Sequence, residues 1–324
     1  MNRRLIALAS GAALALTALM PSAANAHGAA KPDPTKPGAT VPGTNRKITA
    51  AQANACFVWQ GGVTASGGHH FADPTATVPP QVPDDWTTAG VYTPGQVRLS
   101  ARQTIEPDIS GTDRYGYVVI GDGLYLSGYQ EYEDGTVDNK FLKRIGGGWS
   151  SFRFLESADY ESPDSVKNKI YRSTNYALRN DGVLFRWNTG TGGWRSTGSY
   201  PGFSAVKTMT LIAKTPTYDT FLANTRGGAL YTIRIPVGSA KPVVKPVRTR
   251  SWQGFETLSA MGCGQYGTLL LGIDKDSGSG YLYAVGHANG TATVINSLGK
   301  APAAFGDPVD FSWGSVVDAP LFGE

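Results

Sequence analysis

The chain has 324 residues, of which 41 are glycine and 17% are charged, and its formal net charge is +4 at pH 7. A charge this small and this dispersed does not favour binding to nucleic acid. After the N-terminal segment, no stretch has the roughly 20 apolar residues that a membrane-spanning helix needs, so neither a nucleic-acid-binding nor a membrane-spanning protein is expected.

Residues 1–26 have the three parts of a secretory signal peptide. Arg3 and Arg4 precede an apolar run over residues 5–20, and the small residues 24–26 follow it. We therefore expect the protein to be secreted and extracellular. Residues 27–49 are rich in proline, glycine and threonine, which predicts a flexible tether, and the folded domain is expected over residues 50–324.

Cys56 and Cys263 are the only two cysteines. An even number of cysteines in a secreted protein indicates disulfide bonding, because the extracellular compartment is oxidising. The sequence therefore predicts one disulfide between Cys56 and Cys263, which would join the start of the domain to its late part.

A repeat of about fifty residues runs through the domain. Its first marker is an aromatic residue or proline followed three residues later by phenylalanine, and it occurs at Trp149/Phe152, Tyr200/Phe203, Trp252/Phe255 and Pro302/Phe305. The phenylalanines are 51, 52 and 50 residues apart. A fifth, more diverged unit fits upstream, where Leu99 lies 53 residues before Phe152.

A second marker follows the same order along the chain. The segments GDGLYLS, NDGVLFRW, RGGALYTI and GSGYLYAV begin at Gly121, Asn180, Arg226 and Gly278. Asp-Gly or Gly-Gly before alternating apolar and polar residues indicates a tight β-hairpin, because these residues accept the positive φ of the turn. Each unit is therefore expected to contain at least one hairpin.

Five such units of roughly 54 residues are the size of propeller blades. Small antiparallel units bury one face against their neighbours, and radial stacking leaves only short protected edges. The sequence predicts an all-β, five-bladed β-propeller whose ring is closed by strands from the N- and C-termini. A β-sandwich is the alternative, but it does not require a fifty-residue period.

One repeat also resembles a known family. Residues 121–157, GDGLYLSGYQEYEDGTVDNKFLKRIGGGWSSFRFLES, resemble a repeat of the tachylectin-2 type of lectin in the Asp-Asn pair, the Leu-x-x-Ile-Gly step and the GGW-x-x-F-x-F-L segment. The resemblance implies a five-bladed propeller that binds N-acetylglucosamine between neighbouring blades. In the other repeats the spacing of about fifty residues persists, but the tachylectin-like motif is less well preserved.

A glycan site in this repeat needs an aromatic ring for the C–H face of a sugar and fixed groups for its hydroxyls or acetamide. The candidate ligand-binding residues are Asp138 and Asn139 for hydrogen bonds, Gly147 and Gly148 for close approach of the backbone, and Trp149 for the ring. The alternative interpretation makes Trp149 a core residue and the glycines bends between strands.

Other motifs favour ordinary structural roles. Trp187 and Trp194 flank a hairpin and are expected to pack. His69 and His70 near Asp73 offer metal-ligand chemistry, but adjacent histidines on a strand point to opposite faces. The acidic residues around Asp138, which are Glu131, Glu133 and Asp134, lack a calcium-loop signature. No metal and no cofactor is expected.

The sequence thus predicts a secreted, non-catalytic, lectin-like protein that recognises N-acetylated amino sugars or their polymers, as a glycan or a cell-surface polysaccharide. One alternative is a protein-interaction module that binds an extracellular protein partner within a larger complex. Another is a glycoside hydrolase, since paired carboxylates are recognised by their separation in space and not by spacing in sequence. No catalytic residue is singled out.

Overall fold

The computed structural model describes residues 55–162, 170–190, 192–238, 240–315 and 321–324, and these residues form twenty β-strands. The predicted signal peptide and tether lie outside the described residues. Within the described part of the chain, no helix has the length and apolar character needed to cross a membrane. The predicted all-β class is confirmed.

One sheet has eight strands, in the order β3-β2-β1-β20-β4-β5-β6-β7. Its strands are β1 (Gln60–Val63), β2 (His69–Ala72), β3 (Asp85–Thr88), β4 (Val97–Asp108), β5 (Gly111–Ile120), β6 (Gly123–Glu131), β7 (Val137–Gly146) and β20 (Val309–Ser315). It consists of two four-stranded antiparallel runs, which are joined where β20 pairs in parallel with β4. Since β1 pairs with β20, strands from both ends of the described domain share one sheet, as the sequence predicted.

Three further sheets have four antiparallel strands each, in chain order. The first contains β8 (Phe152–Glu161), β9 (Tyr171–Arg179), β10 (Leu184–Asn188) and β11 (Arg195–Tyr200). The second contains β12 (Val206–Lys214), β13 (Tyr218–Thr225), β14 (Leu230–Pro236) and β15 (Val243–Arg248). The third contains β16 (Thr257–Cys263), β17 (Gly267–Asp274), β18 (Ser279–Val285) and β19 (Ile295–Ala304). The Asp-Gly and Gly-Gly markers lie at the turns that precede β6, β10, β14 and β18.

Successive four-stranded runs contact each other through one strand apiece. Strand β4 contacts β8, β8 contacts β12, β12 contacts β16, β16 contacts β20, and β20 pairs with β4. These strands therefore form a closed circuit of contacts, with an apolar cluster between each pair of neighbouring runs. The architecture is consistent with a β-propeller-like fold.

The phenylalanines of the sequence repeat occupy this core. Phe152, Phe203, Phe255 and Phe305 are all buried, and each lies in one of the apolar clusters. Burying one phenylalanine side chain contributes about 1.5–3 kcal/mol relative to leaving it exposed. The fifty-residue period therefore reports a repeated packing position.

Basic side chains bind the carbonyl groups around these phenylalanines. Arg98 donates to the carbonyls of Trp149 and Phe152, and Arg153 donates to the carbonyl of Phe203. Lys207 donates to the carbonyl of Gln253 in the same way. Because each basic residue and its acceptors lie in neighbouring runs, these bonds connect one run to the next.

Two contacts fasten the N-terminal part of the domain. The predicted disulfide between Cys56 and Cys263 is present and connects the segment before β1 to the end of β16. His70 on β2 lies between two carboxylates, with Nδ1 2.6 Å from Asp307 and Nε2 2.9 Å from Asp85. The hydrogen bond to Asp307 is the main cause that raises the pKa of His70 to about 9.

The His70 contacts predict a pH-dependent stability. Because the pKa in the folded state lies above the ordinary value of 6.5, the stabilisation is fully present below about pH 6.5 and is lost as the pH rises through about 9. We expect the thermal unfolding midpoint to fall across this range, and to fall less in a His70→Gln variant. The matched control is His287→Gln, an exposed histidine. Parallel pH profiles for the wild type and His70→Gln would contradict the assignment.

Candidate functional site

Asp138 and Asn139 lie near the start of β7, and both are exposed. Asn139 has a positive φ of 51° and donates from its side-chain amide to Gln130 Oε1 at 3.0 Å. Asp138 pairs with Gln130 across the β6–β7 ladder. The Asn139 amide is thus engaged by its own sheet, whereas the Asp138 carboxylate faces solvent.

Gly147, Gly148 and Trp149 lie in the turn after β7. The backbone N–H groups of Gly148 and Ser150 donate to the two carboxylate oxygens of Asp122, at 2.8 and 2.9 Å. These bonds lower the pKa of Asp122, with the Gly148 contact the largest cause. The Gly148 N–H therefore has a partner within the fold. The sequence did not predict this contact, because the segment that contains Asp122 was interpreted only as a hairpin turn.

The Trp149 ring is a core residue in the structure. Its side chain is 6% exposed, and its ring centroid lies 4.7 Å from that of Phe152 and 5.6 Å from that of Trp187. An extended strand rises about 3.3 Å per residue, so Gly148, nine positions after Asn139 along β7 and its turn, lies up to about 30 Å from it. The structure does not bring the two halves of the predicted site together around one monosaccharide.

A cavity of about 260 Å³ lies among the strands of the closed circuit. Two of its lining carboxylates bind lysines: Glu256 contacts Lys207, and Asp310 lies 2.6 Å from Lys275 Nζ. A third, Glu156, has its pKa raised to about 7 by burial. Since the Glu256 and Asp310 ion pairs join neighbouring runs, these two carboxylates have a structural role.

His69, His70 and Asp73, which the sequence offered as metal ligands, each have a different partner in the structure. His69 is buried, its Nδ1 lies 3.0 Å from the Tyr129 hydroxyl, and burial lowers its pKa to about 3. His70 lies between Asp85 and Asp307 as described above, whereas Asp73 accepts a hydrogen bond from the Asp84 backbone. Among the described residues, no three metal-ligating side chains form a group.

The acidic residues near Asp138 also have separate partners. Glu131 binds Arg114 with 2.6 Å between Oε2 and Nη2, and Asp134 accepts hydrogen bonds from Thr136 within its turn. Asp134 thus lies in an exposed turn, whereas the Glu131 side chain is only 11% exposed.

Aromatic side chains meet where the β4–β7 run faces the β8–β11 sheet. The rings of Tyr117 on β5 and Trp194 before β11 meet edge to face with centroids 5.0 Å apart. Trp194 also lies 5.6 Å from Trp187 and 5.8 Å from the buried Trp149. The predicted packing of Trp187 and Trp194 is present, and both rings remain half-buried rather than fully enclosed.

The aromatic surface extends from Tyr117 towards the start of β7. Tyr115 and Phe141 both pair with Gly128, so they lie in one row across the sheet face. A Cβ on Gly128 would lie 2.4 Å from the Phe141 ring, so only glycine lets this ring lie over β6. Phe141 is 46% exposed. Asp138 and Tyr117 lie on the same face, by the alternation of side chains along each strand.

The opposite wall of the same surface is polar. Ser157 and Asp159 on β8 pair directly with Asn175 and Ser173 on β9, so the four side chains share one face. The Ser157 hydroxyl donates to Asn175 at 2.6 Å, and the Ser173 hydroxyl lies 2.7 Å from that of Thr189. Asp159 is exposed and makes no hydrogen bond or ion pair with any described residue.

The contact between Tyr117 and Trp194 places the two walls next to each other. Burial is the main cause that raises the pKa of Tyr115 to about 12 and also raises the pKa of Tyr117 and Tyr171. The charge of Asp159 contributes to all three shifts. Tyr171 is 65% exposed. The three phenols therefore stay protonated and line a region open to solvent.

We use the name inter-sheet surface for this set of residues, which combines exposed or half-buried aromatic rings with hydroxyl and carboxylate groups: Tyr115, Tyr117, Asp138, Phe141, Asp159, Tyr171, Ser173, Thr189 and Trp194. The sequence reading identified Asp138, Trp187 and Trp194 near it. It missed Tyr117, Asp159 and Tyr171, because no local motif connects residues that only the packing of two sheets brings together.

No known protein family and no curated protein matches this chain. Among solved structures, a triple arginine-to-alanine variant of AofleA from Arthrobotrys oligospora is similar with a TM-score of 0.37 and 10% sequence identity. The match covers 83% of this chain and 92% of that chain. A similarity this low supports no conclusion about function, which must be argued from the residues of this chain.

Proposed function

We propose that this protein is a secreted, non-catalytic carbohydrate-binding protein whose inter-sheet surface binds amino-sugar glycans. The observation that carries the proposal is the combination of Tyr117, Tyr171 and Trp194 rings with the uncommitted carboxylate of Asp159. Sugars bind through C–H faces on aromatic rings and through hydroxyls that need fixed donors and acceptors. The resemblance of residues 121–157 to tachylectin-2-type repeats supports N-acetylated amino sugars or their polymers as ligands.

We also propose that the fold is a five-bladed β-propeller. Its support is the closed circuit of β4, β8, β12, β16 and β20, each of which belongs to a run of four antiparallel strands. In this arrangement the inter-sheet surface lies between two neighbouring blades. A signal peptide over residues 1–26, a tether over residues 27–49 and secretion remain proposals, with which the disulfide between Cys56 and Cys263 is compatible.

The residues proposed from the sequence take different parts in this site. Asp138 is the one whose exposed side chain lies on the inter-sheet surface, and we retain it as a ligand contact. Trp149 forms part of the apolar floor beneath Trp194. Asn139, Gly147 and Gly148 are proposed to shape the strand and the turn. If a double Asp138→Ala, Asn139→Ala variant bound glycan as tightly as the wild type, neither residue would be needed for glycan binding.

The proposal predicts weak, saturable binding of N-acetylglucosamine oligomers in calorimetric titrations of the full secreted chain. A Tyr171→Ala variant should bind about tenfold more weakly, because a stacking contact worth about 1.4 kcal/mol is lost. Tyr266→Ala is the matched control, since Tyr266 is 53% exposed and lies in the turn between β16 and β17 of another sheet. Flat heats for the wild type with millimolar N-acetylglucosamine oligomers and with millimolar glucosamine oligomers would together contradict glycan binding and favour a protein partner.

A further inference from the structure

The inter-sheet surface carries an excess of negative charge. Asp113 and Glu106 lie next to this surface, in one row with its residue Asp138, because Asp113 pairs with both Glu106 and Gln130, and Gln130 pairs with Asp138. Asp159 lies on the opposite wall. Tyr115 donates its hydroxyl hydrogen to Glu106 at 3.0 Å, so this carboxylate has an aromatic ring beside it.

Few cations balance these four carboxylates. Arg172 is close enough to Asp159 for the two charges to interact, but its guanidinium binds both oxygens of the buried Asp219, at 2.5 and 2.6 Å. Lys143 pairs with Leu126, which also pairs with Tyr117, so this cation lies on the same face as Tyr117. Arg195 pairs with Asn188, which places it on the face opposite Trp187.

A surface of aromatic rings and unpaired carboxylates is suited to a cationic ligand. A protonated amine gains from the negative face of a tyrosine or tryptophan ring and from a nearby carboxylate. An N-acetyl group carries no charge and gains neither interaction. Because the formal charge of the whole chain is +4, attraction of a cationic glycan to this protein would depend on a local acidic region and not on the overall charge.

We propose that the inter-sheet surface selects glycans with free amino groups, such as glucosamine oligomers, over their N-acetylated counterparts. This inference rests on the proposed glycan-binding function and assigns the charge of the ligand. Asp159 is the residue that sets the preference, because its carboxylate is exposed, lies diagonal to Tyr171 across the β8–β9 ladder, and is not engaged by a described partner.

The test compares a glucosamine tetramer with an N-acetylglucosamine tetramer by calorimetry at about pH 6, where a sugar amine with a pKa similar to that of an α-amino group is protonated. We expect the glucosamine tetramer to bind about tenfold more tightly. In Asp159→Asn, which keeps the size of the side chain and removes its charge, the ratio of the two affinities should fall close to one. Asp276→Asn, in an exposed turn of another sheet, is the matched control and should keep the wild-type ratio.

The outcomes separate this inference from the proposed function. Equal affinities, or tighter binding of the N-acetylated tetramer, would overturn the selection for free amines and leave glycan binding in place. A preference that Asp159→Asn and Asp276→Asn retain equally would also overturn it, because the selecting charge would lie elsewhere. Absence of binding by both tetramers would overturn the proposed function itself.

Discussion

Replacing Cys56 and Cys263 together by alanine is expected to lower the free energy of unfolding by roughly 5 kcal/mol at most. The bond joins residues 207 positions apart, so its loss greatly enlarges the unfolded ensemble. It also releases the segment before β1, whose pairing with β20 joins the two ends of the domain. Denaturant unfolding of the wild type and the double variant measures the difference.

The control for this experiment is the wild-type protein under reducing conditions. Reduction removes the bond without changing the packing of Leu269 and its neighbours around the cysteine side chains. Both samples should unfold at a similarly lowered denaturant concentration. A double variant that unfolds at the wild-type midpoint would show that the link contributes nothing and that β1 is held by its hydrogen bonds alone.

A Trp149→Ala variant is expected to lose about 3–5 kcal/mol of stability, the usual cost of deleting a buried tryptophan side chain. Trp149 packs against Phe152, Trp187 and Trp194, and its carbonyl accepts a hydrogen bond from Arg98. Thermal or denaturant unfolding measures this loss.

Trp194→Ala is the comparison for Trp149→Ala. Trp194 is half-buried at the inter-sheet surface, so its removal should cost less stability while weakening glycan binding. If Trp149→Ala were as stable as the wild type and had lost glycan binding, Trp149 would be an open stacking platform, as the sequence motif had suggested.

The repeat could be predicted from the sequence because each unit places a residue of the same type at an equivalent buried position. A phenylalanine that recurs every 50 to 52 residues fills the space between neighbouring runs, as Phe152, Phe203 and Phe255 do. Turn chemistry is local, so the segments at Gly121, Asn180, Arg226 and Gly278 predicted hairpins that the structure contains. The pairing of cysteines followed from their number and the expected compartment.

The candidate site could be predicted from the sequence only in part. Asp138 and Trp149 are close in sequence, but an extended strand places them at opposite ends of β7. Tyr117, Asp159 and Tyr171 come from three strands of two sheets, and only the packing of those sheets, seen in the Tyr117–Trp194 contact, places their faces next to each other. Gly128 gives one usable local signal, since a glycine in a strand interior indicates a close approach, here by the Phe141 ring.

The central claim is that glycans bind at the inter-sheet surface, and the indole N–H signals of the seven tryptophans test it most directly. In a ¹H–¹⁵N spectrum of the full chain titrated with an amino-sugar tetramer, the Trp194 signal, assigned with a Trp194→Phe variant, should shift most. The Trp252 signal, from a buried ring between two other sheets, should stay fixed. Saturable shifts of Trp252 or Trp86 without a shift of Trp194 would contradict the account.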